Sequence, residues 1–330
     1  MEVKEFRIAA IDLGTVSSRL ALATVRDGVI VSLDKRTVIT DLGEGVDATG
    51  RFCDAAVARV MEACRGFVAL AHDFAPAATC TTLTSAARDA SNGEELLAGL
   101  RSLGLHPQVI PGEVEARLTF FGVAHDFPAQ RIAVADSGGG STELATGLFM
   151  PGDPLTLERV ESLNIGCRRV TERYLTPAPP SADQLAEAAS FAAQEFAPYW
   201  DGLAALGEGR PERLVAVGGT VTTLVAMVNN LTTYDARFVH LHELSASEVE
   251  GAIERMRGLS AEQIAQLPGI QPKRAPVILA GAVVIRELLR ASGFNALTVS
   301  ENSLLAGMAA TMYEALAGRE PTIGWQPDLS

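Results

Sequence analysis

The chain of 330 residues is long for one ordinary core and suits two domains of typical size. With 48% hydrophobic and 20% charged residues it reads as globular, not disordered. A net charge of −13 argues against a nucleic-acid binder, and the opening MEVKEF lacks the basic-then-apolar run of a signal peptide, so the expected location is the cytoplasm.

In chain order, Phe6–Leu13 and Ser18–Val25 read as strands, and Arg26-Asp27-Gly28 as a hairpin turn into a third strand. Asp54–Asp73 carries Val57, Val60, Met61, Cys64, Phe67 and Val68 at helical spacing. Ala77–Leu83 reads as a buried strand, Glu94–Leu103 as a helix, Gln108–Ile110 as a short strand and Glu113–Val123 as a helix opening after Pro111-Gly112. After a polar link at His125–Gln130 the pattern restarts with strands at Ile132–Asp136, Ser141–Thr146 and Leu157–Leu163. Helices follow at Arg168–Tyr174 and Asp183–Leu206, separated by TPAPPS, a surface turn. Arg213–Val217 and Leu297–Ser300 read as further strands, and Thr220–Val228, Ala246–Arg257, Ala275–Ala291 and Ser303–Ala317 as helices. The apolar stretches Leu214–Val228 and Ala275–Ile285 are interrupted or far short of the ~20 residues that a membrane-spanning helix needs. Cys53, Cys64, Cys80 and Cys167 form no CxxC pair and have no His at zinc spacing, so they read as reduced thiols.

Two stretches share one build. Residues 7–20, RIAAIDLGTVSSRL, and residues 131–144, RIAVADSGGGSTEL, each run from apolar residues through an acid into a turn of glycine and hydroxyl residues, and Asp136 follows Asp12 by 136 − 12 = 124 positions. The chain thus reads as two copies of one α/β fold. If the copies face each other, both turns would clamp one ligand. Glycines let backbone N–H groups converge on an anion, and hydroxyls add donors. An Asp at a strand end can hold a divalent cation whose remaining positions are filled by phosphate oxygens and water. The pair therefore implies a phosphate chain plus magnesium. GxGxxG is absent, which excludes a dinucleotide fingerprint.

Three further segments suit that chemistry. GEVEARL, residues 112–118, offers Glu113 and Glu115 at a helix start, where acids are also favoured by the helix dipole alone. TSAARDASN, residues 84–92, places Arg88 in a polar strand-to-loop context, where a guanidinium can grip phosphate oxygens. VGGTVTTL, residues 217–224, follows a buried strand and opens a helix, and Gly219 and Thr220 make it a third anion-friendly start.

In this order the pieces resemble the exopolyphosphatase / guanosine pentaphosphate phosphohydrolase (Ppx/GppA) family, within the actin–sugar kinase–heat-shock-70 superfamily. AIDLGTVSSRL, LTSAARDASN, VIPGEVEARLTFFGV and DSGGGSTEL resemble its successive motifs, and SLNIGCRRVTERYL, VGGTVTTL, PGIQPKRAPVILAG and VSENSLLAGM continue the likeness to the C-terminus. The resemblance implies a duplicated actin-like (RNase H-like) ATPase fold with two α/β domains flanking a cleft. Residues 1–125 plus 311–330 would form domain I and 126–310 domain II, with hinges near 125–130 and 299–303. It further implies the short form that lacks the C-terminal helical HD-type domain of longer members.

Residue by residue, the resemblance assigns the catalytic glutamate to Glu115 and phosphate binding to Arg88, Gly219 and Thr220. The opposed phosphate loops fall on Gly14, Thr15, Val16 and Ser17 and on Gly138, Gly139, Gly140, Ser141 and Thr142. Asp136, Glu143 and Asp12 would hold Mg2+ (or Mn2+). Val16 stands where members commonly carry Asn, Ser137 where Ile is usual, and Leu305 where an arginine is usual. The implied reaction is hydrolysis of a phosphoanhydride bond: removal of the terminal phosphate of short polyphosphate, or of pppGpp to give ppGpp, by a water that Glu115 activates. A homodimer without nucleic-acid or membrane partners is expected. The alternatives are a non-catalytic sensor of guanosine tetra- or pentaphosphate and an ATP-dependent small-molecule kinase of the same fold.

Overall fold

A computed structural model describes residues 3–151 and 155–330. Its first elements are β1 (Glu5–Leu13), β2 (Ser17–Arg26), β3 (Val29–Ile39), α1 (Val46–Thr49), α2 (Asp54–Phe74), β4 (Ala78–Leu83), α3 (Ser85–Asp89), α4 (Gly93–Ser102), β5 (Pro107–Val109) and α5 (Gly112–Ala124). There follow β6 (Arg131–Ser137), β7 (Thr142–Leu148), β8 (Thr156–Leu163), α6 (Cys167–Tyr174), α7 (Ala182–Ala205), β9 (Arg213–Val217), α8 (Gly219–Val228) and α9 (Ala236–Val239). The last are β10 (His242–Ser245), α10 (Ala246–Met256), α11 (Ala261–Ile264), a 3-10 turn at Pro272–Arg274, α12 (Ala275–Ser292), β11 (Ala296–Val299) and α13 (Leu304–Leu316).

The chain divides into two compact units, one of Met1–Pro128, Phe149–Leu155 and Asn302–Ser330, the other of Ala129–Leu148 and Thr156–Glu301. The return to unit 1 comes at Glu301–Asn302, ahead of α13, so that helix belongs whole to unit 1 and not only from residue 311.

In unit 1 the sheet order is β3-β2-β1-β4-β5, antiparallel among the first three strands and parallel from β1 through β4 to β5. The central strand is apolar on both faces because both are covered. Ile8 and Ala10 enter one core with α13, while Ala9, Ile11 and Leu13 enter another with α2 and α4. At the β2–β3 turn Asp27 and Gly28 have φ of 49° and 87°, the left-handed pair of a type I′ hairpin. Helices α5 and α13 approach closely: a Cβ on Gly307 would lie 1.8 Å from the Leu118 carbonyl oxygen, and one on Gly122 2.4 Å from that of Ser303.

In unit 2 the sheet order is β10-β11-β9-β6-β7-β8. Its run β8-β7-β6-β9 repeats β3-β2-β1-β4 with the same strand senses, and β11 lies parallel to β9 as β5 does to β4. Strand β10, antiparallel to β11, is an addition. The two units are thus copies of one α/β topology, as the repeated sequence implies. The core of unit 2 gathers apolar residues of α7, α8, α10 and α12. Capping boxes at Ser181/Gln184 and Ser245/Glu248 start α7 and α10. Among the described residues no helix is long and apolar enough to cross a membrane.

The expected elements recur within a residue or two at their ends. Ser141 stays in the turn, since β7 starts at Thr142, and Arg88 sits in the short helix α3 instead of a loop.

Candidate active site

The turn between β1 and β2 follows from where β1 ends. Asp12 pairs with Arg19 across the hairpin and with Thr82 on the parallel side, and the Gly14 amide donates to the Ser17 carbonyl at 3.0 Å. Asp12 is 1% exposed. Its Oδ2 accepts from Arg19 Nε at 2.9 Å and Nη2 at 2.6 Å, while Oδ1 is buried and has no hydrogen-bond partner among the described residues. The turn's carbonyls face the protein: that of Val16 accepts from the Thr40 and Asp41 amides, and that of Thr15 from Gly43 at 2.8 Å. Thr15 and Val16 are buried, yet among the described residues their own amides donate no backbone hydrogen bond.

The turn of unit 2 repeats this arrangement. The Gly138 amide donates to the Ser141 carbonyl at 3.0 Å. The Gly138 and Gly139 carbonyls accept from Cys167, Arg168 and Arg169 at the start of α6, and Arg169 Nε donates to the Gly140 carbonyl at 2.7 Å. Gly139 and Gly140 are buried and, like Thr15 and Val16, donate no backbone hydrogen bond among the described residues. Amides of buried residues without a protein acceptor are costly unless a ligand completes them, so each turn offers two donors that suit an anion. Gly166 supports the second turn, where a Cβ would lie 2.4 Å from the Gly139 carbonyl.

Asp136 and Glu143 stand directly opposite each other on β6 and β7, 5% and 2% exposed. Ser162 Oγ donates to Glu143 Oε1 at 2.8 Å. The β9–α8 turn closes on this pair: Gly218 has φ of 100°, and a Cβ there would lie 3.0 Å from Asp136 Oδ1. Only glycine suits that backbone and that approach. Helix α8 then opens with Gly219 and the buried Thr220, and the Arg274 guanidinium lies against Gly219. Cys167 beside them has its thiol pKa raised by burial, opposed by the charges of Arg274 and Arg168 and a hydrogen bond from Thr220.

Back in unit 1, Glu115 lies in the first turn of α5, its amide bonded to the Pro111 carbonyl at 3.1 Å. Of the two acids in that turn Glu115 is buried and Glu113 exposed. Arg88 Nη1 donates to Glu115 Oε2 at 2.8 Å and to the Ile110 carbonyl at 3.1 Å. This pair can orient a carboxylate toward a water, or release a guanidinium to phosphate.

Of the residues expected from the sequence, unit 1 holds Asp12, Gly14, Thr15, Val16 and Ser17 in one turn and brings Arg88 to Glu115. Unit 2 gathers Asp136, Gly138, Gly139, Gly140, Ser141, Thr142 and Glu143 with the glycine turn that leads to Gly219 and Thr220. Sequence reasoning passed over Arg19, Gly166, Arg169, Gly218 and Arg274. Sliding the second repeat onto the first would have found one of them, since Arg19 falls on Glu143. Leu305, where an arginine is usual, is buried in the apolar core of unit 1.

No group of three or more metal-capable side chains occurs among the described residues. The Asp136–Glu143 pair nevertheless fits magnesium, which keeps several waters and uses one or two carboxylates plus substrate phosphates.

The model of the Ppx/GppA phosphatase family matches residues 21–315. The chain is 34% identical over 322 residues to Exopolyphosphatase 2 of Mycobacterium tuberculosis, a match that covers 93% of this chain and 98% of that protein. Among solved structures it is similar to an exopolyphosphatase-like protein at a TM-score of 0.86 and 32% identity, covering 95% of this chain and 99% of that one. It is also similar to the Aquifex aeolicus member of the Ppx/GppA protein family, at 0.76 and 29%, covering 96% and 99%. Two like-built glycine and hydroxyl turns, a buried acid pair and a match along nearly the whole length lead to one conclusion: the chain belongs to the Ppx/GppA phosphatase family.

Proposed function

We propose that the chain hydrolyses the terminal phosphoanhydride bond of inorganic polyphosphate, short chains above all, and that pppGpp is a second substrate. The observation that carries this reading is the repeated turn, in which the amides of the buried residues Thr15 and Val16, and of Gly139 and Gly140, donate no backbone hydrogen bond among the described residues. The name Exopolyphosphatase 2 of the Mycobacterium tuberculosis relative supports it.

In this reading the turn amides and the hydroxyls of Ser17 and Ser141 bind phosphate oxygens, and Thr220 at the start of α8 adds a donor; the Thr142 hydroxyl, expected to join them, instead donates to the Ile165 carbonyl at 2.7 Å. Asp136 and Glu143 would hold magnesium (or manganese), which supplies charge neutralisation on the terminal phosphoryl group. Glu115 orients a water and accepts its proton. The water oxygen bonds to the terminal phosphorus, the bridging P–O bond breaks, and orthophosphate and the shortened chain leave. Phosphoryl transfer is mostly positioning and electrostatics, so fixed backbone donors contribute much of the rate. A positioned base adds about 10²–10⁴-fold. Arg88 holds the Glu115 carboxylate and can also reach toward phosphate.

Phosphate release from short polyphosphate, long polyphosphate, pppGpp and ATP, each with magnesium, tests the reading. Release from polyphosphate without any acceptor molecule is expected. Tight binding of guanosine polyphosphates with no release would favour a sensor, and ADP formation that depends on an acceptor would favour a kinase.

A further inference from the structure

The carboxyl ends of three parallel strands of unit 2 lie in a row, because β6 pairs with β9 and β9 with β11. Asp136 lies near the end of β6, Gly218 and Gly219 follow β9, and Glu301 comes two residues after β11. Ligands of open α/β sheets settle along such a row. With neighbouring strands about 4.8 Å apart, the end of β11 stands roughly 10 Å from that of β6. Tyr234, from the link between α8 and β10, reaches this far end. Its hydroxyl donates to Glu301 Oε1 and lies within hydrogen-bond reach of Thr222 in the first turn of α8. The ring remains 46% exposed, while burial and the Glu301 charge raise the phenol pKa and keep it protonated. The Glu301 amide is itself fixed, donating to His240 Nδ1 at 3.2 Å. All these residues belong to unit 2.

We infer that Tyr234 and Glu301 form a nucleoside subsite in which Tyr234 stacks a purine base and Glu301 selects guanine over adenine. This rests on the reading of pppGpp as a second substrate. An aromatic ring held at its hydroxyl and open on its face offers a platform to any base. Guanine carries two donors side by side on its pairing edge, N1–H and N2–H, and these suit a carboxylate, an acceptor-only group with sites beyond the one that Tyr234 takes. Adenine would set the lone pair of its N1 against the same oxygens. Thr222 and Arg274 join the two ends of the ligand: Arg274 lies against Gly219 and within electrostatic reach of Tyr234, beside the helix start that suits phosphate. Polyphosphate has no base, so Tyr234 and Glu301 are specificity residues and not catalytic ones.

The test is calorimetry of ppGpp and of its adenosine counterpart on the full chain, set beside phosphate release from short polyphosphate. The wild type should bind the guanosine compound at least tenfold more tightly. Glu301→Gln should bring that ratio below threefold, since an amide can pair with either base. Tyr234→Ala should weaken both compounds at least fivefold, whereas Tyr234→Phe, which keeps the ring, should stay within threefold. Release from polyphosphate should stay within threefold of wild type in all three variants, which also shows that they fold. An unchanged ratio in Glu301→Gln, equal losses in the two Tyr234 variants, or a parallel loss of polyphosphate release would overturn the inference while leaving the pppGpp reading standing. A wild type that neither binds ppGpp nor releases phosphate from pppGpp would overturn that reading and the inference with it.

Discussion

Arg88 and Glu115 form a partly buried ion pair: Nη1 of the arginine lies 2.8 Å from Oε2 of the glutamate and also bonds the Ile110 carbonyl, tying α3 to the start of α5. Removing one member leaves the other's charge poorly solvated, which costs more than removing both. Arg88→Met is therefore expected to destabilise unit 1 by about 2–3 kcal/mol, and the double variant R88M/E115Q by less. Urea titration of the single and double variants checks this; simple additivity would contradict the pairing.

Gly218 carries the second prediction. At φ of 100°, with a Cβ 3.0 Å from Asp136 Oδ1, alanine there is strained and displaces the carboxylate. Gly218→Ala should cost roughly 1–3 kcal/mol and lower phosphate release by more than its loss of stability explains. Gly207, also at positive φ but in open space, is the control, and Gly207→Ala should leave kcat unchanged.

The α5–α13 contact gives a third. Alanine at Gly307 would overlap the Leu118 backbone, and rigid backbone cannot yield cheaply. Gly307→Ala should destabilise by about 1–3 kcal/mol or more and, by tilting the helix that carries Glu115 in its first turn, reduce kcat. A fully active Gly307→Ala protein of unchanged Tm would refute the close approach.

The cysteines set a pH dependence. Burial pushes the thiols of Cys64 and Cys80 up to about 12, whereas Cys53 is exposed. At pH 8 only Cys53 should react quickly with a thiol reagent. Because the folded pKa is raised, the buried thiols add stability that is complete below the unfolded value near 8.5 and is lost as pH climbs from there toward 12. Thermal unfolding between pH 8 and 11 should show a falling Tm, with a shallower slope in Cys64→Ala; an unchanged slope would count against this origin.

Much of this was legible in the sequence for physical reasons. The central strands β1 and β6 are apolar on both faces and end in acid and glycine, so both the strand and its turn announce themselves. Long helices such as α2 and α12 show their period. Helices α1, α3, α9 and α11, at four or five residues, carry too little period to be seen, which is why Arg88 was expected in a loop. Helical spacing could not separate Glu113 from Glu115, because α5 is apolar nearly all round: Glu113 aligns with the buried Ala116 and Phe120 as Glu115 does with Leu118, Thr119 and Gly122. Arg19 was legible only through alignment of the two repeats, because an arginine on a strand says little until register sets it opposite Asp12. Gly218 and Arg274 meet their partners only through the tertiary fold.

The central claim, that Glu115 activates the attacking water while the turns hold the phosphates, is tested most directly by measuring turnover and binding together in Glu115→Gln. The expected result is phosphate release from short polyphosphate reduced about 10²–10⁴-fold, with the Kd for the same polyphosphate changed less than threefold. Retained turnover, or a parallel collapse of binding and turnover in a folded protein, would contradict the account.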